Sequence, residues 1–485
     1  MAPRDVVDEF YRYVHNDVPL RMIFVPEMKL VDRFFMQEYY LPQIQEITED
    51  AVEGGISQDE DRDTVVARLV SGVVRYAILS HRWLPKDEPT FRDMIDGTVT
   101  ARGREKLWNF CGMATTYELM FAWSDTCCID KSSSSELDEA IRSMFRWYRN
   151  ATTCFVHLAQ TSSLDDLQFD EWFERGWTLQ ELLAPRVTKF FSAEWQPLVD
   201  GPNDKTNQDL LQLISAATHC PEHALRGYTP GPFYVGRRMT WAARRKTTRG
   251  EDMAYALMGI FDVTLQTAYG EGAERAFCRL IEKIMLANGN TSVLNWAGKP
   301  ASSHSSKAFP SSPRSYLGHP NYNFERKLDI SVTSLGLRIS LLVLPLEKPR
   351  SLGRTKDGNV RVKLSFSDER ISSVVDPITA ALLRGEIIKN RDLAIGVFNY
   401  MPPYGNQVTG HPGIRPWSTG YLLSRRQAPE ISQEDIQLGM KAKDDLKFYG
   451  WKKISTATFV CFTVKSVQRG EVMIMDKEFL EVVNL

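Results

Sequence analysis

The chain has 485 residues, of which 43% are hydrophobic and 25% charged, and its formal net charge is −2. At about 150 residues per domain, this length predicts roughly three folding units, and the composition is typical of packed globular domains rather than disorder. The small net charge excludes a global basic field of the kind that holds nucleic acid or anionic lipid.

Three further features of the sequence predict a cytoplasmic protein. The first residues, MAPRDVVDEFYRYVHND, carry charges throughout and lack the apolar core of a secretory signal. The longest apolar stretch, residues 339–346, is far shorter than the ~20 residues needed to span a bilayer. The seven cysteines show no framework spacing, which favours reduced thiols.

Strand and helix patterns alternate between residues 73 and 200. Apolar residues recur at helical spacing in the two longest segments, and Ser133 with Glu136 matches a capping box at the start of the second. Strands that alternate with crossover helices pair in parallel, so we predict an α/β domain with a mostly parallel sheet and helices on both faces. Its predicted elements are strand 75–82, helix 103–119, strand 119–124, helix 135–150, strand 153–158, helix 175–184 and strand 187–191.

The segments on either side of this domain have different patterns. Residues 1–72 contain a short β-like stretch, 20–26, and an acidic helical insertion. Residues 201–298 are predicted to be a helical extension, and the Ser- and Pro-rich residues 299–315 a linker. Residues 316–485 are predicted to form a separate, mainly β domain. Its β-like runs are 330–346, 360–366, 393–400, 456–467 and 472–475.

Polar residues follow three of the predicted strands. In open α/β sheets, ligands bind at the carboxyl ends of the strands, so we expect these side chains to line a substrate site. They are Ser80, His81, Arg82 and Trp83 after the first strand, Asp125 and Asp130 after the second, and Arg175 and Trp177 in a loop after the third. Loop aspartates such as Asp125 and Asp130 also cap turns and helix starts, and this structural interpretation stays open.

The helix predicted at 175–184 has two distinct sides. At 100° per residue its leucines gather on one side, and Trp177 and Glu181, four residues apart, share the opposite side. We therefore expect the leucines to pack on the sheet and Trp177 and Glu181 to face outward. An indole beside a carboxylate suits a planar cationic ligand. A salt bridge from Glu181 to a nearby arginine is the structural alternative.

Other chemical patterns in the sequence are weak. Ser80 and His81 are neighbours on a strand and point to opposite faces, so they cannot form a nucleophile–base pair. His219 and His223 have metal-like spacing around Cys220, but no second ligand cluster lies near them, and no metal site is predicted. The sequence contains no GxxxxGK[ST] loop, kinase signature or GxSxG motif.

Four segments resemble the successive core motifs of fungal HET (heterokaryon incompatibility) domains. They are YAILSHRW (76–83), WSDTCCIDK (123–131), ELDEAIRSMFRWYRNA (136–151) and RGWTLQELLAP (175–185). Residues 240–261 and 269–277 resemble the region that often continues such proteins. The resemblance covers residues from about 20 to 300 and does not extend to 316–485. It implies an effector of non-self recognition and programmed cell death, a form of innate immunity in fungi.

HET domains are in turn thought to be remote relatives of TIR domains, some of which cleave NAD⁺. The resemblance implies a TIR-like (flavodoxin-like) fold, in which YAILSHR is similar to the opening strand. The spacing of Trp177 and Glu181 resembles a TIR helix motif whose glutamate is catalytic in the NAD⁺-cleaving members. It therefore nominates Glu181 as the catalytic residue, and the other strand-end residues named above as substrate-binding.

The resemblance also implies partners and an alternative. NAD⁺ or a related nucleotide would be the substrate, with no separate cofactor, and hydrolysis would follow self-association through the HET domain. An incompatibility partner protein is also expected. The alternative is a non-catalytic TIR-like module that signals by assembly alone.

Overall fold

The structure of the chain is a computed structural model that describes most of the first 318 residues and shorter stretches after them. The described ranges are 2–84, 86–318, 327–333, 336–347, 353–354, 360–363, 371–375, 377–389, 391–400, 412–414, 418–426, 452–454, 460–464, 473–475 and 477–485. The chain divides into two compact units. The first comprises Met1–Gly231, Arg245–Thr248 and Tyr255–Thr267, and the second Pro232–Arg244, Arg249–Ala254 and Ala268–Leu485.

Helices and strands of the described residues are numbered here in chain order. The helices are α1 (Arg4–Asn16), α2 (Arg33–Gln45), α3 (Glu49–Glu53), α4 (Arg62–Val73), α5 (Phe91–Asp96), α6 (Ala101–Thr116), α7 (Ser134–Asn150), α8 (Thr178–Leu183), α9 (Gln208–Thr218), α10 (Glu222–Arg226), α11 (Val235–Ala242), α12 (Asp252–Tyr255), α13 (Met258–Phe261), α14 (Ala273–Asn288) and α15 (Pro377–Ile388). The strands are β1 (Arg21–Phe24), β2 (Lys29–Asp32), β3 (Ala77–His81), β4 (Phe121–Trp123), β5 (Thr153–His157), β6 (Thr188–Phe191), β7 (Ile330–Thr333), β8 (Gly336–Pro345), β9 (Gly353–Arg354), β10 (Val360–Lys363), β11 (Ile371–Val375), β12 (Arg391–Val397), β13 (Gly413–Ile414), β14 (Thr419–Arg426), β15 (Lys452–Lys453), β16 (Val460–Val464), β17 (Met473–Ile474) and β18 (Leu480–Asn484).

The first unit is built around a six-stranded sheet with the strand order β2-β1-β4-β3-β5-β6. β3 pairs in parallel with β4 and β5, and β5 pairs in parallel with β6. β1 pairs antiparallel with both β2 and β4, so the sheet is mixed. The predicted parallel arrangement is therefore found in the four strands of residues 73–200. The N-terminal hairpin is antiparallel because its two strands are joined by a short turn, which allows no crossover.

Helices cover both faces of this sheet. Ile78 and Trp123 lie in register on one face, where the centre of the Trp123 ring lies 5.6 Å from that of Trp147 in α7. Phe155 points to the other face, and the centre of its ring lies 6.1 Å from that of Phe110 in α6. Because side chains alternate between faces along a strand, α6 and α7 lie on opposite sides of the sheet, as predicted.

At the start of α7, one of the two hydrogen bonds of the predicted capping box is present. Ser133 accepts a hydrogen bond from the backbone N–H of Glu136 at 3.4 Å, which is the expected N-cap interaction. The Glu136 carboxylate accepts instead from the backbone N–H of Asp130 at 2.8 Å and forms an ion pair with Arg21. The loop that carries Asp130 is thereby tied to the first turn of α7.

The described part of the second unit contains an antiparallel sheet of ten strands. Its main path has the order β18-β8-β12-β14-β16-β11-β10-β9, with β15 beside β14 and β7 beside β8. The described part of residues 316–485 is therefore mainly β, as the sequence predicts. Residues 334–335, 364–366, 456–459, 465–467 and 472, which belong to the predicted β-like runs, lie outside the described residues.

Residues 299–315 differ from the linker that their Ser and Pro content predicts. Ala301 and Phe309 are fully buried, and their backbones pair through a hydrogen bond of 2.8 Å. The indole N–H of Trp296 donates to the backbone oxygen of Ala308 at 3.0 Å. The segment is therefore packed within the second unit by its buried apolar residues. In the part of the chain that the structure describes, no helix is long and apolar enough to cross a membrane.

Candidate functional site

The carboxyl ends of β3, β4 and β5 lie side by side because these strands pair in parallel. Ser80 and His81 are the last residues of β3, and their side chains point to opposite faces of the sheet, as expected for neighbours on a strand. Ser80 shares a face with α7 and α8, whereas His81 shares a face with α6. Asp125 lies two residues beyond β4. It contacts His81 on one side, and its charge acts on Glu181 on the other.

On the α8 side, Glu181 is held by a chain of hydrogen bonds. Ser80 Oγ donates to Glu181 Oε2 at 2.5 Å and accepts from the indole Nε1 of Trp172 at 2.9 Å. The hydroxyl of Tyr148 also interacts with the Glu181 carboxyl and donates to the backbone oxygen of Leu79 at 2.8 Å. Trp172 and Tyr148 are buried, and Glu181 is partly buried.

The orientation of Glu181 differs from the outward one that the helical spacing predicts. Leu179, Leu182 and Leu183 are buried, as expected, but the Glu181 carboxyl turns toward the end of β3 instead of solvent. The physical reason is the hydrogen bond from Ser80, together with the short length of α8. Six residues make less than two turns, and the segment before it, Glu171–Glu174, forms a 3₁₀ turn whose Trp172 packs beside Ser80.

Burial and the negative charge of Asp125 raise the pKa of Glu181 to about 8. The hydrogen bond from Ser80, the positive charge of Arg175 and the interaction with the Tyr148 hydroxyl act in the opposite direction but are outweighed. The carboxyl group is therefore mostly protonated at neutral pH. A cation placed beside it would favour loss of this proton, since an opposite charge stabilises the ionised form.

Asp125 has the opposite character. Burial alone would raise its pKa, but the Lys131 ammonium, the hydrogen bond from His81 and the charge of Arg175 hold it at about 2. His81 Nε2 lies 3.2 Å from Asp125 Oδ1, and the indole Nε1 of Trp83 donates to Oδ2 at 3.1 Å. An ionised carboxylate only accepts hydrogen bonds, so Nε2 of His81 carries the proton.

Behind His81 lies a nearly buried ion pair. Lys106 Nζ donates to Glu88 Oε2 at 2.7 Å and to the backbone oxygen of Arg82 at 3.1 Å. Only 7% of the Lys106 side chain and 12% of the Glu88 side chain are exposed. Burial, followed by the charge of Lys106, lowers the pKa of His81, so this histidine is neutral and acts as a fixed support for Asp125.

The remaining predicted site residues lie in three different settings. The guanidinium of Arg82 forms an ion pair with Glu171 at 2.7 Å, and that of Arg175 lies 5.7 Å from the centre of the Trp83 ring. Trp177 is partly buried at the N-terminus of α8. Asp130 stands apart from the cluster: it accepts from the backbone N–H and the hydroxyl of Ser132, at 2.9 and 2.6 Å. This is the turn-capping role that its loop position also allows.

Besides Glu88 and Lys106, three contributors are not among the predicted site residues. Tyr148 belongs to the apolar stripe of α7, and its hydroxyl end is the feature that suggests a polar role. Trp172 precedes α8, and only its contact with Ser80 shows its part in the cluster. Lys131 ends the WSDTCCIDK motif, and its ammonium lies 3.8 Å from the centre of the Trp83 ring. Among the described residues, no group of three His, Cys, Asp or Glu side chains is arranged to hold a metal ion.

Comparisons with known proteins agree with the motifs of the first unit. Residues 76–171 match the family model described as heterokaryon incompatibility protein (HET). The chain is 46% identical over 224 residues to the vegetative incompatibility protein HET-E-1 of Podospora anserina. This match covers 43% of the chain and 16% of that relative, so the chain corresponds to a small part of its length. No solved structure matches the chain. The range matched by the family model, residues 76–171, contains Ser80, Asp125 and Tyr148 and ends before Glu181.

Proposed function

Residues 76–171 match the family model of heterokaryon incompatibility (HET) proteins, and on this premise we propose that the chain acts in fungal heterokaryon incompatibility by hydrolysing NAD⁺ at Glu181. Nicotinamide release would follow self-association of the domain and would lead to cell death. A role in incompatibility is supported by the family match and by the relative's description as a vegetative incompatibility protein. The TIR-like fold and the reaction belong to the proposal.

One observation carries the catalytic part of the proposal. Two carboxyl groups with opposite protonation, Glu181 and Asp125, lie near the carboxyl ends of adjacent parallel strands. Pairs of titratable groups whose surroundings push their pKa values apart are typical of acid–base sites, and the ends of the strands are where open α/β sheets bind ligands. A partly exposed indole, Trp83, completes a setting that suits a cationic aromatic ring.

The reaction needs little from the protein at the leaving group. The bond between the ribose C1′ and the nicotinamide nitrogen breaks with both electrons passing to the nitrogen, so nicotinamide leaves as a neutral molecule and no general acid is required. Positive charge develops on the ribose, water adds to C1′, and a proton is released. An ionised Glu181 beneath the ribose would stabilise that charge, as carboxylates do in glycosidases, by several kcal/mol.

The raised pKa of Glu181 fits a site that becomes ionised when substrate binds. The free protein holds the carboxyl mostly neutral at pH 7, because burial and Asp125 disfavour the charge. A bound nicotinamide ring brings a positive charge, which favours the ionised form. The substrate itself would thus prepare the carboxylate that the transition state needs.

Nicotinamide release from NAD⁺ by the concentrated, purified chain tests this proposal. Glu181→Gln should lower the rate at least ~100-fold, the usual effect of removing one electrostatic stabiliser. Glu174→Gln is a matched control, since this exposed glutamate lies in the same segment and pairs with Lys246 at 2.6 Å. Equal rates for the two variants, or no release from assembled wild-type protein, would exclude hydrolysis at Glu181.

A non-catalytic assembly module is the second candidate function. The observation that favours it is the set of contacts from Glu181 to Ser80 and Tyr148, which also serves to anchor α8 on the end of β3. Overproduction in fungal cells separates the two functions. If wild type and Glu181→Gln kill cells equally, the domain acts by assembly; if only wild type kills, catalysis is required.

A further inference from the structure

Trp83 presents a half-exposed indole ring beside an ionised carboxylate. Of its surface, 42% is exposed, and its Nε1 is bonded to both oxygens of Asp125, at 3.3 and 3.1 Å. These two bonds share one N–H and hold the nitrogen edge of the ring against the carboxylate. Asp125 is in turn held by His81, so the ring and the carboxylate form a preorganised pair.

A cation of the chain itself lies against both the Trp83 ring and the Asp125 carboxylate. The ammonium of Lys131 lies 3.8 Å from the centre of the Trp83 ring and 4.0 Å from Asp125 Oδ2. The face of an indole carries negative electrostatic potential and attracts cations within about 6 Å. The Arg175 guanidinium, at 5.7 Å, is near that limit, so Lys131 is the nearer of these two cations.

We propose that the Trp83–Asp125 pair is a binding site for a planar organic cation and that Lys131 occupies it as an internal competitor. The identification of that cation with the pyridinium ring of a nicotinamide nucleotide rests on the proposed function. The existence of the site does not, because it follows from the ring, the carboxylate and the ammonium. Lys131 was not among the residues nominated from the sequence.

The chemistry of Lys131 makes it a displaceable occupant. Its ammonium sits on a flexible stem of four carbons, and 39% of its side chain is exposed. A flat pyridinium ring can stack over the whole indole, whereas an ammonium meets it at one point. Asp125 stabilises either cation. A ligand therefore competes with Lys131 for the same charge and the same ring face.

Binding of 1-methylnicotinamide, a planar pyridinium cation without ribose or phosphate, tests the proposal by calorimetry on the full chain. Lys131→Gln should bind it about tenfold more tightly than wild type, a factor that corresponds to about 1.4 kcal/mol. Lys29→Gln is the matched control. It removes the same charge from an exposed lysine that also lies over an aromatic ring, Phe35, at 5.6 Å.

Two further arms define the outcome. Adding Asp125→Asn to Lys131→Gln should abolish the gain in affinity, because the stacked cation no longer has an ionised carboxylate of the protein beside it. Neutral nicotinamide should gain less from Lys131→Gln than the cation does, because it competes with Lys131 for the ring face but not for the charge. The proposal is overturned if Lys131→Gln binds the cation no better than Lys29→Gln does, if neutral nicotinamide gains equally, or if neither protein binds the cation at millimolar concentration.

The readout separates this site from the proposed reaction. Hydrolysis of NAD⁺ that depends on Glu181, combined with no binding of 1-methylnicotinamide, would leave the reaction standing and remove the site. Tighter binding in Lys131→Gln without nicotinamide release would establish the site and leave the protein as a binding module. Thermal melting of each variant confirms that it is folded, which the exposed position of Lys131 favours.

Discussion

Asp125 lies close enough to Glu181 for its negative charge to raise the pKa of the Glu181 carboxyl, which reaches about 8 through this charge and burial. The pKa of Asp125 itself is about 2, because Lys131, His81 and Arg175 outweigh the effect of its burial. Two carboxyl groups at the same strand ends therefore differ in charge at neutral pH. Each of them has a distinct expected effect on activity and stability.

The pH profile of nicotinamide release should report the ionisation of Glu181. If the ionised form stabilises the ribose cation, kcat/KM of wild type should rise with pH and level off above about 8. Asp125→Asn removes the negative charge that disfavours ionisation, so the midpoint should move to lower pH. The profiles are measured between pH 5 and 10. A midpoint that stays in place in Asp125→Asn would show that another group controls the profile.

The same pKa shift predicts how stability depends on pH. The folded-state pKa of Glu181 lies above the unfolded value of about 4.5, so the folded protein retains this proton to higher pH. The stabilising contribution of the protonated group is fully present below pH 4.5 and is lost as the pH rises through 8.

Glu181→Gln keeps the shape of the neutral group and removes this dependence. Its unfolding free energy relative to wild type should increase from pH 4.5 to 8 by on the order of 3 kcal/mol, at about 1.4 kcal/mol per pKa unit and discounted for partial exposure. Urea unfolding of both proteins across this range measures the difference, and effects of other titrating groups cancel. A constant difference would mean that Glu181 is ionised in the folded protein.

Ser80→Ala should lower the stability of the protein and impair the ionisation of Glu181. The change leaves the buried indole N–H of Trp172 without its acceptor, which costs about 1–3 kcal/mol. It also removes a hydrogen bond that lowers the pKa of Glu181, so the activity profile should move to higher pH. Ser71→Ala is the control, since that hydroxyl donates only to the backbone of its own helix, at 3.0 Å. Similar unfolding curves for the two variants would argue against the hydrogen-bond chain.

The strands of the parallel core are predictable from the sequence because each is a short, fully buried run. The edge hairpin is only half predictable. The stretch at 20–26 predicts β1, but β2 buries one residue of its four, Val31, and such a segment carries no strand pattern. The pairing of β2 with β1 follows from the short connection between them. A pattern of apolar and polar residues within one segment does not reveal such a pairing.

The candidate site shows a similar division. The rule that strand ends carry ligands points to Ser80 and Asp125, and the helical spacing and the family resemblance point to Glu181. The structure brings these three residues to one region. The direction of the Glu181 carboxyl depends on a hydrogen bond to a residue 101 positions away, and helical spacing has no information about it. The sequence does not identify Lys131 for the same reason. Trp83 follows β3 and Lys131 follows β4, so their contact depends on how the two strands pair.

Gly259→Ala should destabilise the first unit through the helix that carries Tyr148. A Cβ atom at Gly259 in α13 would lie 2.1 Å from the Cβ of Phe145 in α7. That atom is bonded directly to the backbone, so α7 or α13 must shift. Overpacking of this kind costs about 1–3 kcal/mol. Gly112→Ala in α6 is the matched control, since no atom lies within 4 Å of the added Cβ, and it should gain up to about 1 kcal/mol from helix propensity. Urea unfolding compares the two. If both variants are stabilised, the contact between α13 and α7 is looser than its geometry requires.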